Sequence, residues 1–498
     1  MTTMTTPSGL HAEALRSFWP GGTGPQNYVD GAWTTAAVYA ETFDPSTGNT
    51  FAVVPETTKD EVDAAVRAAA RAQPAWAGLT MSQRAEHLSA LKAVLDAKGE
   101  ELALLEAIDS GNPLPSTRRD VGLALRYLTE WPGLALSATG RFTRAHADGI
   151  SLISAEPYGV VGKIIAYNHP MLFAIAGMIY PLMAGNTMVI KTSTQTPVAT
   201  LALGEVIDGV LPPGVVNIVS GGADAGDALV THPQVKRLAF TGSEATALAI
   251  QKRLSVSGMV KHFSAELGGK NPFIVFADAD VSAAVDAAFA GLSFHISAGQ
   301  SCQSTARILV HESIISEVEA GLATAMRRLT LGPAYEDATE MGPVVSREHA
   351  RRIEEFIRGG IDEGARLVVG GGTLKSGGYF IEPTLFSDVT PSMTIAREEI
   401  FGPVATLMPF ATEDEAIRLA NDTRYGLSAA VWTNDLDRAL RVSAQVQAGY
   451  VWVNDANRHY PGSPFGGMRA SGIGREETVD ELFGYTESKS VNIRVRSA

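Results

Sequence analysis

One cysteine, Cys302, occupies the stretch SAGQSCQSTARILVHES in a chain of 498 residues. A solitary thiol is either inert packing or a nucleophile. The nucleophile needs a partly open, polar setting that favours the thiolate. The small polar turn Ser297 to Ser301, followed by the strand-like run Ala306 to Val310, favours the second reading. Carboxylates able to act as bases toward water or thiol stand in two loop-like stretches. FSAELGGKNP puts Glu266 ahead of a Gly-Gly turn, and REEIFGPV puts Glu398 and Glu399 ahead of Phe-Gly-Pro. A loop glutamate is ordinarily just solvated, so these matter only if the fold brings them to the cysteine.

The elements that must position these groups follow from the periodicity. The first third is mostly helical: KDEVDAAVRAAARAQPAW and SQRAEHLSALKAVLDAKGEELALLEA place apolar residues at helical spacing. From about residue 159 short β-rich runs alternate with helical ones: VVGKIIAY, TMVIKTS, VVNIVSG, RLAFTGS and later PFIVFAD. That alternation predicts a parallel sheet covered on both faces. A second set from about Ala306, with ARILVHES, ARLVVGG, ATLMPF, LSAAVWTND and YVWVND, predicts a second α/β unit. Two further segments, GRFTRAHADGISLISAEPYG and YTESKSVNIRVRSA, alternate like exposed strands with no evident partner. They are candidates for pairing across a subunit interface or for a peripheral hairpin.

Ligands of open parallel sheets sit beyond the carboxyl ends of the strands. Three such ends carry Asn168-His169-Pro170, Lys191-Thr192-Ser193-Thr194 and Thr241-Gly242-Ser243. The last runs into the helical EATALAIQKRL, whose first amides suit a phosphate. Together they indicate a dinucleotide site, although the GxGxxG fingerprint is absent.

Composition narrows the classes. Hydrophobic residues at 45% and charged residues at 19% fit a compact enzyme of two or three domains. A net charge of −14 argues against nucleic acid and gives no basic stripe for a membrane surface. One cysteine excludes an intramolecular disulfide, and ten scattered histidines without HExxH predict no metal. The N-terminus has no basic segment followed by an apolar run, and the most apolar stretch, Met171 to Met183, contains Pro181 and is too short to span a bilayer. A cytoplasmic location is expected.

The chain resembles the aldehyde dehydrogenase superfamily along nearly its full length. YNHP, GNTMVIKTSTQTP, LPPGVVNIVSG, FTGS, ELGGKNP, GQSCQSTARILV, MGPVVS, FIEPTLFSDV, EEIFGPV, WVNDANRHYPGSPFGGMRASGIGRE and YTESKSV occur in the family's order. The resemblance implies an α/β fold with a Rossmann-like cofactor domain (1–138 and 159–267) and a second α/β catalytic domain (268–470). A small β oligomerisation extension (139–158 and 471–498) completes it. It implies Cys302 as nucleophile, Asn168 with the Cys302 amide as oxyanion hole, and Glu266 as the base that hydrolyses the thioester. Cofactor contacts are implied at Ile165, Ala166, Lys191, Ser193, Thr194, Gly242, Ser243, Leu267, Glu399 and Phe401. The product expected is a free carboxylic acid, because members that acylate coenzyme A generally lack the base. A non-catalytic homologue, the remaining alternative, typically loses the nucleophile or base. A homodimer or homotetramer is usual for the family.

Departures from the family pattern carry their own expectations. Tyr167-Asn168-His169-Pro170 replaces the usual Trp-Asn-Phe-Pro, and Ala247 replaces a glycine. Thr194 stands where NAD-preferring members often have a glutamate, which leads to the expectation of NADP, alone or alongside NAD. Many members carry a lysine on the helix after the catalytic Asn. Here Gly177 lies in that region and Met171 to Thr187 holds no charge, which leaves a proton-relay role for Glu476 unsupported. Met171, Ile175, Met178, Phe294 and Phe465 are expected to line an entry tunnel suited to an apolar or aromatic aldehyde. Arg458 and His459 at its mouth could favour a polar or anionic end group.

Overall fold

The computed structural model describes residues 9–146, 149–374 and 377–494. Five strands, Val160–Ile164, Thr187–Lys191, Val216–Val219, Val235–Thr241 and His262–Glu266, form the parallel centre of an eight-stranded sheet. Most of their β-branched residues are buried on both faces, as a sheet covered by crossover helices requires. From Val160–Ile164 the chain steps outward through Thr187–Lys191 to Val216–Val219, then returns to lay Val235–Thr241 on the other side of Val160–Ile164. The strand order therefore reverses between Val160–Ile164 and Val235–Thr241, and the carboxyl ends beside that reversal form a natural crevice. Helices Lys59–Gly78 and Met81–Ala97 begin with capping boxes, Thr58 with Glu61 and Thr80 with Gln83, each satisfying first-turn amides.

A second, seven-stranded sheet runs Arg366–Val369, Thr384–Ser387, Val404–Phe410, Arg307–His311, Pro272–Val275, Ser428–Trp432, Tyr450–Val453. Only Arg366–Val369 is antiparallel to its neighbour. The stretch PFIVFAD, grouped by rhythm with the first set, belongs here: Phe273 pairs with Ile308 and Ala430. Rhythm could not show this, since the change of sheet happens inside the short turn Leu267–Asn271.

The two polar β segments find each other. Thr486–Arg494 pairs with Gly149–Pro157, which pairs with Arg141–His146, so both have partners within their own chain. Before that tail, Gly472–Ile473 joins the edge of the first sheet against Ala265 and Glu266 rather than the small one.

Candidate active site

The register of the first sheet aligns the groups beyond its strand ends. Ile164 lies opposite Lys191, Lys191 opposite Val219, and Thr241 opposite Glu266. Ile165, Ala166, Lys191, Ser193, Thr194, Gly242, Ser243 and Leu267 consequently follow one edge. Lys191 is buried and its Nζ donates to the Thr192 carbonyl at 2.9 Å. Burial pulls its ammonium down to about 8, opposed by the carboxylate of Glu56. Ser193 accepts from the Gln195 amide, whereas Thr194 is exposed. Ser243 caps helix Glu244–Ser255, its Oγ accepting from the Thr246 amide at 3.3 Å. It thus fills the ordinary role of a cap while opening a helix N-terminus toward the crevice. The Gly242 amide is bound to the Glu266 carbonyl at 3.1 Å, and the Leu267 amide to the Ser471 carbonyl at 3.0 Å.

Glu399 and Phe401 come to this edge from the other sheet's side. A Cβ on Gly268 would collide with the Glu399 carboxylate, so glycine there is what admits it. Glu399 accepts from the Gly269 amide at 3.1 Å, and burial raises its carboxyl to about 7 despite that bond and nearby Lys270. Phe401 holds φ +58, its carbonyl facing His349 Nε2 at 2.6 Å, with its ring edge-on to Tyr167 at 5.7 Å between centroids. A buried ammonium, a helix N-terminus and a carboxylate over a glycine lie beyond the strand ends of one sheet edge, and this donor set fits a dinucleotide.

Cys302 arrives on a tight loop. Ser293, Ala298 and Gly299 all have positive φ, and a Cβ on Gly299 would strike the Gly402 carbonyl. Asn271 fixes the loop from below, its Nδ2 donating to the carbonyls of Cys302 at 2.7 Å and Ser304 at 3.0 Å. Asn168 reaches the same loop from the first sheet, its Nδ2 donating to the Gln300 carbonyl at 2.9 Å. Its own carbonyl accepts from Asn112 at 2.7 Å. Cys302 and Asn168 line one pocket.

The setting of the thiol differs from the thiolate-favouring one expected. Burial, together with the charges of Glu399 and Glu266, pushes the Cys302 thiol up to about 12, outweighing the Gln303 amide. Glu266 is likewise buried, and neither of its carboxyl oxygens has a hydrogen-bond partner among the described residues. Burial and then Glu476 drive its carboxyl well above the usual range, with Lys163 and Arg475 pulling it back. The buried, unpartnered carboxyl is an expensive feature unless something else meets it. Glu266 lines a second cavity beside the thiol pocket, and Glu476 lines both.

The pocket's lining corrects the expected tunnel. Met171, Ile175, Met178 and Phe294 are all in the core, at most 1% exposed. Helix Pro170–Met183 turns its other face, Leu172, Phe173 and Ala176, to the pocket, and Ser293 and Ile296 stand in for Phe294. Phe465 and His459 line it as expected; Arg458 does not, its side chain lying over the Tyr460 ring. The sequence reading also missed Tyr127 and Trp131, stacked 4.2 Å apart one helical turn from each other. It missed His169 as a polar wall, held by buried Asp120 at 2.6 Å. Lys163 was overlooked too, although a lysine inside an apolar strand is a legible signal.

A family profile described as the aldehyde dehydrogenase family matches residues 33–491. The chain is 41% identical over 484 residues to aldehyde dehydrogenase tropH of Talaromyces stipitatus, covering 95% of this chain and 93% of that one. It superposes on an NAD+ complex of an aldehyde dehydrogenase from Bacillus cereus with a TM-score of 0.92 at 37% identity, covering 95% and 97% of the two chains. A betaine aldehyde dehydrogenase from Staphylococcus aureus in complex with NAD+ gives a TM-score of 0.93 at 35% identity, with 98% of both chains covered.

Proposed function

The chain belongs to the aldehyde dehydrogenase family and oxidises an aldehyde to the carboxylic acid with NAD(P)+; we propose that it does so through Cys302, Asn168 and Glu266. The observation that carries this is that Cys302 and Asn168 share one pocket, with Glu266 in an adjoining cavity whose lining includes the same Glu476, and with the Glu266 carboxylate near enough to shift the Cys302 thiol. The Cys302 thiol, neutral at rest, gives up its proton to solvent in the pocket as its sulfur bonds to the aldehyde carbon and the C=O π pair moves onto oxygen. The oxyanion that forms lies between the Asn168 amide and the Cys302 N–H, each donor worth roughly 2.7–4 kcal/mol in such a site. A nicotinamide held at Glu399 and Phe401 would supply the hydride acceptor needed to turn the thiohemiacetal on Cys302 into a thioester. Glu266 then takes a proton from the water that attacks the thioester, freeing the acid and restoring the thiol.

Lys191, Ser193 and Thr194 would hold the adenosine-side ribose, and Gly242, Ser243 and the first turn of helix Glu244–Ser255 would take the pyrophosphate. Ile165, Ala166 and Leu267 would pack along the cofactor, and Glu399 with Phe401 would meet the nicotinamide-side ribose. The exposed, uncharged Thr194 beside Lys191 supports acceptance of NADP alongside NAD, since no carboxylate at 194 repels a 2′-phosphate. The aromatic wall of Tyr127, Trp131, Phe173 and Phe465 favours an aromatic aldehyde. Exposed Phe142, Leu152, Val491 and Ile493 on the small sheet support a homo-oligomer built through that sheet. Among the described residues no helix is long and apolar enough to cross a membrane, which is compatible with the cytoplasmic reading.

Product analysis tests the reading. One equivalent of carboxylic acid per reduced cofactor is expected with or without coenzyme A, and a coenzyme A thioester as main product overturns it.

A further inference from the structure

Lys163 is a charge where an apolar strand calls for none. It stands in Val160–Ile164 among buried residues, and its side chain is 2% exposed. Its Nζ donates to Glu476 Oε1 at 3.1 Å. Gly177, on helix Pro170–Met183, makes the room: a Cβ there would lie 2.8 Å from Lys163 Cε and 3.2 Å from Nζ. The cation missing from the helix is therefore supplied from the strand, into the volume beside Gly177. Burial alone would lower this ammonium, but Glu476, Tyr485 and Glu481 outweigh it and hold it above the ordinary lysine range. The same charges face Glu266: Glu476 and Glu481 raise it, whereas Lys163 and Arg475 lower it. Behind Glu266, the cavity is lined by Arg237, Ser264, Arg475, Glu476 and Glu481.

We propose that Lys163 is a positioning residue for thioester hydrolysis, holding Glu476 so that it relays the proton taken by Glu266 into this second cavity. The proposal rests on the thioester reading above. In the step, the water oxygen bonds to the acyl carbon and the carbon–sulfur bond breaks. One water proton passes to Glu266, then to Glu476, then to solvent in the cavity, while the departing sulfur takes a proton from solvent and becomes a thiol again. Nothing is oxidised or reduced. Aldehyde addition and hydride loss occur on the other side, at Cys302 and Asn168, and do not use the relay.

The test follows reduced-cofactor fluorescence of the full-length enzyme in stopped flow, with benzaldehyde or hexanal, whichever the wild type turns over faster. In Lys163→Gln a burst of about one equivalent per subunit keeps the wild-type rate, and the turnover after it slows about tenfold or more. Without the ammonium Glu266 climbs further, so its base form appears only at higher pH. The acid limb of steady turnover moves upward while that of the burst stays. Lys163→Gln with Gly177→Lys restores turnover to within about threefold, because the new side chain enters the same volume from the helix. Gly177→Ala crowds the ammonium with a single methyl and keeps a good helix former; it gives the same signature more weakly. Should Lys163→Gln not fold, Gly177→Ala decides. Wild-type turnover and pH limb in the folded variants, or a burst slowed in step with turnover, overturns the proposal. Oxidation that survives in Cys302→Ala instead defeats the thioester reading itself, whatever Lys163 does.

Discussion

The two sides of the active site are built on different physics. The thiol side is held by backbone and amides: Asn168 on the Gln300 carbonyl, Asn271 on the Cys302 and Ser304 carbonyls, and a loop with three positive-φ residues. Aromatic rings and a few oriented polar groups face its pocket. The carboxylate side is crowded with charge: Glu266, Glu476, Glu481, Lys163 and Arg475 within one electrostatic neighbourhood. On the proposed mechanism, aldehyde addition needs a fixed geometry for one developing oxyanion, which neutral donors can supply. Hydrolysis must move protons, and a cluster of mutually shifted groups does that. Glu476 belongs to both cavities and is the hinge between the two designs.

Substitutions on either side separate them. Cys302→Ala removes both halves, and reduced-cofactor formation falls by about four orders of magnitude or more in a protein with unchanged melting temperature. Glu266→Gln strikes only the carboxylate side: the burst survives and turnover after it drops about 10²–10⁴-fold, with acyl-enzyme visible by mass spectrometry. Asn168→Ala strikes the thiol side. It slows the burst itself about 10²–10³-fold, and no acyl-enzyme accumulates. If Glu266→Gln abolished the burst, or Asn168→Ala preserved it, the division would be wrong. Outside both, Thr194→Glu costs about tenfold in kcat/KM for NADP and leaves NAD within about threefold, from the repulsion of a partly solvated carboxylate and phosphate.

The resting thiol offers a milder check through pH. Because burial, Glu399 and Glu266 push Cys302 up to about 12, the cofactor-free enzyme holds almost no thiolate near neutrality. The rate of iodoacetamide alkylation rises about tenfold per pH unit from 7 to 10, with no plateau in that range. A plateau near pH 8 would mean that the thiol side is more polar than its packing indicates.

How much of this was legible varies by residue. Cys302, Asn168 and Glu266 were singled out by residue type at strand ends and turns, where chemistry concentrates, but their catalytic roles came only from the family resemblance. The lining of the pocket was misread at Met171, Ile175 and Met178. One helix presents different residues to core and pocket, and an all-apolar helix such as MLFAIAGMIYPLM carries no polar stripe to tell the faces apart. The thiol's high proton affinity was equally out of reach, since it depends on carboxylates more than thirty positions away. Gly177 read as a missing cation. Only the packing of strand on helix showed that Lys163 fills its place.

The order of chemistry-bearing segments, the alternation of strand and helix, and the solitary thiol were written in the chain itself, because they depend on neighbours a few residues apart. The sheet to which PFIVFAD belongs, the face the pocket helix turns inward, and the pairing of Lys163 with Glu476 across 313 positions were decided only by folding. Burial and charge are properties of the space around a group, and that space is filled by residues from distant parts of the chain.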